Sequence, residues 1–246
     1  MGNIYCSSDW HGNLTVANKV LDEFLQPDDI LYFLGDCADR GKYGVELAQK
    51  LLDDPRVKFI KGNHELFLEE GIDDMIGVGY PRNENLWISN GGYPTITGLS
   101  KMTDNELRIL RAKISRLPQT LIYRNRKGKD IILNHCGYTP DFMENNEFFY
   151  PALYEPYWDR SHFFEPWDDV HFPDVYVIHG HTPVCYIEKD FNDWKGVKTP
   201  PVDQYDFKAY HYCDNHKICI DLATFCTNKT VLINLDTFEE IYIKGE

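Results

Sequence analysis

The chain has 246 residues, 43% of them hydrophobic and 14% aromatic, enough for a sizeable core and too apolar for an intrinsically disordered segment. Its formal charge of −14 excludes broad affinity for nucleic acid or anionic membranes, which comes mainly from Lys and Arg, and leaves a local cation as the means of attracting an anionic substrate. No apolar run approaches the roughly 18 residues needed to cross a bilayer, and the seven scattered cysteines, with no C-x-x-C pair, fit reduced thiols in a cytoplasm.

In chain order, residues 4–6 read as a strand, and Leu14, Ala17, Val20, Leu21, Phe24 and Leu25 form an apolar stripe at helical spacing. Residues 30–34 are continuously apolar between Asp29 and Gly35, as in a strand buried on both faces. Val45, Ala48, Leu51 and Leu52 mark a second helix, and residues 57–60 a third strand. The order β-α-β-α-β predicts an α/β fold with parallel strands flanked by helices. Between residues 70 and 120 the pattern turns helical: Thr103 and Glu106 form a capping box before Leu107, Leu110, Ile114 and Leu117, and Pro118 stops the run. Residues 71–119 are expected to be a helical insertion over the site, within one domain spanning 1–246. Residues 142–176 read as long ordered loops, with the aromatics of 148–167 packing over the sheet. Residues 218–222, 231–235 and 241–243 read as strands of a second sheet.

Five segments carry the chemistry, each just past the carboxyl end of an expected strand, where open α/β sheets place ligands. They are Asp9-Trp10-His11, Gly35-Asp36-Cys37-Ala38-Asp39-Arg40-Gly41, Gly62-Asn63-His64-Glu65, His135-Cys136-Gly137 and Gly180-His181-Thr182. Two divalent ions about 3.5 to 4 Å apart need a shared carboxylate, further oxygen and imidazole donors, and open positions for water. Asp36 is the expected bridge, with Asp9 and His11 completing one set and Asn63, His135 and His181 the other. His179, on the opposite face of a continuing strand, is expected to be structural, and Cys37 and Cys136 to be small buried thiols.

These segments resemble the calcineurin-like metallophosphoesterases, most closely the bacterial members of the phosphoprotein (serine/threonine) phosphatase branch; the likeness spans residues 3–185. The resemblance implies a β-sandwich of two mixed sheets flanked by helices. It also implies metal binding by Asp9, His11, Asp36, Asn63, His135 and His181, and phosphate contacts from Arg40, Lys61, Arg160 and Asn63. His64 would be the general acid, oriented by Asp39. The stretch Trp87-x-x-Asn90-Gly91-Gly92-x-x-Thr95 looks like one common in the bacterial members. Two departures stand out: Lys61 replaces the usual Arg before Gly-Asn-His-Glu, losing a bidentate fork, and Pro183 stands where nucleases and phosphodiesterases of the superfamily carry a second His.

Rival phosphatase chemistries lack their residues: no Cys is followed six places later by Arg, and there is neither Asp-x-Asp nor a Gly-rich loop ending in Gly-Lys-Ser/Thr. The expected activity is hydrolysis of phosphate monoesters, phosphoserine or phosphothreonine, with a phosphorylated protein or a small phosphoester as the partner. A hydroxide bridging two divalent ions, Mn²⁺ or an iron and zinc pair, would attack phosphorus while His64 protonates the leaving group. A symmetrical dinucleoside polyphosphate hydrolase and a non-catalytic metal-binding scaffold are the alternatives.

Overall fold

The computed structural model describes residues 2–78, 84–137, 155–160, 174–196, 198 and 200–245. Strand β1 (Ile4–Ser7) runs parallel to β2 (Ile30–Phe33), and β2 to β3 (Val57–Phe59). Between β1 and β2 lies α1 (Leu14–Asn18), continued by a wider π-turn over Lys19–Phe24; α2 (Gly44–Asp53) links β2 to β3. Asn13 starts α1 by accepting the Val16 N–H at 3.0 Å; of the expected stripe Ala17, Val20, Leu21 and Leu25 are buried, and Leu14 and Phe24 are partly buried against the same core.

Four helices follow: α3 (Asn63–Met75), α4 (Glu84–Ser89), α5 (Tyr93–Leu99) and α6 (Asp104–Ile114). The helical run therefore begins at Asn63, directly after β3. At α6 both halves of the Thr103–Glu106 capping box form. Next come β4 (Thr120–Arg124), β5 (Asp130–Asn134), the short α7 (Glu155–Trp158), β6 (Val175–His179) and α8 (Val184–Lys195). A 3-10 turn (Val202–Gln204), β7 (Tyr210–Tyr212), β8 (Lys217–Cys219), the short α9 (Thr224–Thr227), β9 (Lys229–Asn234) and β10 (Glu240–Lys244) complete the described elements. The loops expected over 142–176 lie outside the described residues except at 155–160 and 174–176. Among the described residues no helix is long and apolar enough to cross a membrane.

Two five-stranded mixed sheets result, ordered β10-β9-β1-β2-β3 and β4-β5-β6-β8-β7. Alternation along the strands sorts the core into layers. Tyr5, Leu31, Phe33, Phe59 and Leu232 pack with the helical residues Val16, Leu47, Leu68, Leu107 and Leu110. Cys6, Val231 and Ile233 of the first sheet meet Ile131, Leu133, Ile178 and Ile218 of the second. The fold is the α/β sandwich that the sequence predicts, with one correction. Only β8 of the three tail strands joins the second sheet; β9 pairs antiparallel with β1 (Cys6↔Ile233) and β10 with β9, extending the first. A run buried at nearly every position marks an inner strand without saying of which sheet.

Candidate active site

The five strand-end segments converge. The loop after β1 runs along the loop after β2, with Asp9 N–H donating to Gly35 O (3.0 Å), His11 to Asp36 O (3.0 Å) and Gly12 to Cys37 O (2.7 Å). The turns are sharp: Asp9, His11, Asp36, Asp39, Arg40 and His181 all have positive φ, between 42° and 69°, a conformation that non-glycine residues keep only where their surroundings enforce it. Gly180 and Gly62 lie so close to the acids that an added Cβ would collide with Asp9 Oδ2 and Ser8 Oγ in the first case, and with Asp36 Oδ1 in the second. Glu65, wholly buried, ties two segments together by accepting the N–H groups of Asp36, Cys37 and Gly62, each at 2.8 Å.

Asp36 lies between two groups of imidazoles. Its Oδ1 is 3.2 Å from His135 Nε2 and accepts the His64 backbone N–H at 3.0 Å; its Oδ2 is 3.7 Å from His11 Nε2 and 3.8 Å from His64 Nε2. Asp9 accepts the His181 N–H at 3.1 Å and the Ser8 hydroxyl. Asn63 Oδ1 lies 3.0 Å from both His135 Nε2 and His181 Nδ1. Backbone carbonyls orient two of the rings. His11 Nδ1 donates to Ala38 O at 2.9 Å and His135 Nδ1 to Leu34 O at 2.8 Å, so Nε2 of each ring is turned to the cleft.

His64 Nδ1 is bonded to Asp39 Oδ2 at 2.6 Å. The Arg40 guanidinium spans the gap, 2.7 Å from His11 Nε2 and 3.4 Å from His64 Nε2, with its carbon 5.1 Å from the Phe225 ring centroid. Residues of α4, α5 and the turn between them brace this loop: Trp87 Nε1 donates to Asp39 Oδ2 at 2.7 Å, Asp39 N–H to Thr95 Oγ1 at 3.0 Å, and Arg40 N–H to Gly91 O at 2.8 Å. The tryptophan, glycine and threonine of the Trp87 to Thr95 stretch thus each contact the pair Asp39 and Arg40. The other two cations are placed differently. Arg160 Nε donates to Thr182 Oγ1 at 3.0 Å, next to His181, whereas the Lys61 ammonium points to Glu69, 2.6 Å away. For Lys61 to grip phosphate it would have to give up that largely buried ion pair.

Burial and mutual charge shape the protonation of this cluster. Burial works against the Asp36 carboxylate, but the His135 and His64 imidazoles hold it well below the usual range. Burial likewise opposes a charged His135, yet Asp36 outweighs it and carries the imidazole up to about 10. Asp9 is pushed well above the carboxylate range by burial and by Asp221. Burial depresses His11 and His181, helped by Arg40 in the first case and His135 in the second. The cleft therefore concentrates acids that need a positive partner.

A cation pair fits these donors. Ligand atoms of Asp9, Asp36 and His135, and separately of His11, Asp36 and His64, lie within 4.8 Å of one another, as do those of His135, Cys136 and His181. Asp36 is common to the first two groups. Carboxylate oxygens, an amide oxygen and imidazole nitrogens suit Mn²⁺, iron and zinc.

Sequence reading passed over Asp221, which sits among these groups fully buried, and over Phe225, whose ring meets Arg40 and His11. It also gave no role to Glu65, Trp87 or Thr95. His179 is buried and bonded through Nε2 to the Tyr212 hydroxyl at 2.7 Å, and Cys37 and Cys136 are buried.

A two-sheet sandwich whose strand ends gather acids, imidazoles and an arginine is the architecture of a metal-dependent phosphoesterase. The chain belongs to the calcineurin-like phosphoesterase family, whose model matches residues 2–185. No curated protein sequence matches it. Among solved structures, a candidate diadenosine tetraphosphatase superposes with a TM-score of 0.59 at 14% identity, over 100% of this chain and 94% of its own. A point mutant of a cold-active protein tyrosine phosphatase gives 0.57 at 17% identity, over 98% and 77%. A metallophosphoesterase from Sphaerobacter thermophilus gives 0.52 at 15% identity, over 100% and 88%. At such identities the likeness is one of fold.

Proposed function

We propose that the chain is a phosphatase of the phosphoprotein phosphatase branch, hydrolysing phosphate monoesters, phosphoserine and phosphothreonine first among them. The observation that carries this reading is the placement of His64: with Nδ1 held by Asp39 at 2.6 Å, its Nε2 faces the same space as the Arg40 guanidinium and Asp36 Oδ2. Arg40 offers N–H donors to phosphoryl oxygens, and Arg160 reaches from the Thr182 side; His64 can hand a proton to the leaving oxygen, with Asp39 holding the tautomer. Asp9, His11 and Asp36 would hold one divalent ion, and Asp36, Asn63, His135 and His181 the other. When bound, such a pair supplies Lewis-acid charge and acidifies a coordinated water to near neutrality. Lys61 is left out of the phosphate set because Glu69 occupies its ammonium. A buried acid and imidazole pair beside an arginine has no use in a scaffold that only stores metal.

A second reading, hydrolysis of a dinucleoside polyphosphate, is favoured by one feature. A groove adjoining Arg40 is lined by Lys42, Tyr43, Tyr93, Lys101 and Met102, with Glu46 its one acid among the described residues, on a chain of charge −14. Extra phosphates and a base would suit such cations and rings. Metal analysis of the purified protein, with chromatographic turnover assays on a phosphopeptide panel and on diadenosine tetraphosphate, separates the readings. Turnover of phosphopeptides alone supports the first, of the dinucleotide alone the second, and absence of both rejects both substrate assignments.

A further inference from the structure

Strands β6 and β8 run parallel in register, Ile178 opposite Ile218 and His179 opposite Cys219, and the Ile220 N–H continues the ladder to His179 O at 2.8 Å. His181 lies two residues beyond the end of β6, and Asp221 two beyond the end of β8. Asp221 therefore occupies a sixth strand-end position, level with one of the metal-binding candidates. The chain folds back there too, with the Val184 N–H donating to Asp221 O at 3.0 Å.

The Asp221 side chain is wholly buried and only half used. Its Oδ1 accepts the Ala223 N–H at 2.8 Å, in a turn that places Ala223 at φ 52°, while its buried Oδ2 has no hydrogen-bond partner among the described residues. The turn needs Oδ1 alone, and an asparagine would serve it equally. A carboxylate left half-satisfied in a protein interior is expensive unless something positive meets it. The charged groups it interacts with electrostatically include Asp9, Asp36, Arg40 and His135 of the cleft. In this chain Pro183 follows Thr182 where a second histidine would add a donor, so of the ligands that the motifs supply an ion beside Asp9, His11 and Asp36 would have those three alone.

We propose that Asp221 is the missing anionic member of that ion's surroundings, its free Oδ2 serving the cation held by Asp9, His11 and Asp36, or water upon it. This rests on the two-cation reading of the site. The Asp221 charge then acts with opposite signs in the two states. Without metal, Asp221 repels Asp9 and Asp36 and burdens the fold; with metal, it offsets the cation.

The test is Mn²⁺ titration of purified wild type, Asp221→Asn and Asp221→Glu, read by bound metal per chain, together with thermal unfolding in chelator and in Mn²⁺. Two ions on wild type are expected. Asp221→Asn should bind one of them at least ~10-fold more weakly, in the range seen when supporting groups of a metal site are lost. Its unfolding temperature in chelator should equal or exceed that of wild type, while the rise on adding Mn²⁺ shrinks. Asp221→Glu, which keeps the charge, should hold the ion better than Asp221→Asn. Equal Mn²⁺ affinity in wild type and Asp221→Asn overturns the inference and leaves the two-cation reading intact. So does equal loss in Asp221→Glu and Asp221→Asn. Wild type that takes up no Mn²⁺ overturns both.

Discussion

His64 Nδ1 and Asp39 Oδ2 are 2.6 Å apart in a wholly buried pair, and the same oxygen receives the Trp87 indole N–H. The arrangement fixes the ring so that only Nε2 can serve a ligand in the cleft. His64→Asn should therefore retain the metals and lose about 10²- to 10⁴-fold in kcat on alkyl phosphate esters, the range for a lost general acid. The deficit should be smaller on p-nitrophenyl phosphate, because p-nitrophenolate leaves with little protonation. Equal deficits on both substrates, with metal content intact, would mean that His64 positions or binds.

Trp87→Phe should act through the same pair. Removing the indole N–H takes from Asp39 Oδ2 one of its two donors among the described residues; a hydrogen bond to a charged group contributes about 1.5 to 3 kcal/mol, so kcat on a phosphopeptide should fall by about 10- to 150-fold at most. A positioning residue has a signature that a merely structural one lacks: the loss should again be larger for the alkyl ester than for the aryl ester, with KM nearly unchanged. A uniform drop across substrates, tracking a lowered unfolding temperature, would assign Trp87 to packing alone.

Asp36→Asn tests the shared ligand. The carboxylate presents Oδ1 to His135 and Oδ2 to His11 and His64, and an amide keeps the shape while losing the charge and one acceptor. Elemental analysis should find fewer than two ions per chain, with turnover lost in parallel. Two ions and normal turnover would remove Asp36 from its bridging role.

Most of the site was legible because acids and histidines directly follow apolar runs, and the loops after parallel strands point the same way. What escaped is equally physical. Asp221 follows the apolar residues Ile218, Cys219 and Ile220 and precedes Leu222, so it reads as a position within a strand; only the pairing of β8 with β6 shows it to be a strand end. The membership of β9 and β10 in the first sheet depends on long-range pairing that burial does not encode. Lys61 lies next to the Gly62 to Glu65 motif in sequence, yet its side chain runs to Glu69 on α3. Trp87 belongs to a stretch that resembles one in bacterial members of the family, but its target, Asp39, is 48 positions away.

Removing metal should make stability depend on pH through His135. In the metal-free fold its imidazole holds a proton up to about 10, against an ordinary value near 6.5 for the unfolded chain. The sign follows: this contribution is complete below pH 6.5 and is lost as pH rises through 10, because the folded state holds the extra proton. Thermal unfolding in chelator should therefore drop between pH 6.5 and 8. With Mn²⁺ present a cation takes over the proton's place beside Asp36, and the drop should flatten. The same slope with and without Mn²⁺ would disconnect His135 from the metal site.

The groove beside Arg40 should reveal itself by substrate size. Lys101 and Lys42 are exposed cations, and Tyr93, 69% exposed, offers an open ring face. A small aryl phosphate bound at Arg40 and His64 would carry no second anionic group into the groove, so Lys101→Glu should leave kcat/KM on p-nitrophenyl phosphate within about 2-fold. A surface charge pair is worth about 0.2 to 1 kcal/mol, and a reversal both removes one attraction and adds one repulsion. For a substrate carrying a second anionic group into the groove, KM should then rise by about 2- to 30-fold. Tyr93→Ala distinguishes the occupants: a stacked base loses a ring partner worth about 1 to 3 kcal/mol, whereas an extended peptide with acidic flanks depends chiefly on the lysine. A KM increase for diadenosine tetraphosphate in both variants would favour the dinucleotide reading. An increase confined to Lys101→Glu and to acidic phosphopeptides would favour the protein phosphatase, and unchanged KM for every large substrate in both variants would exclude the groove from recognition.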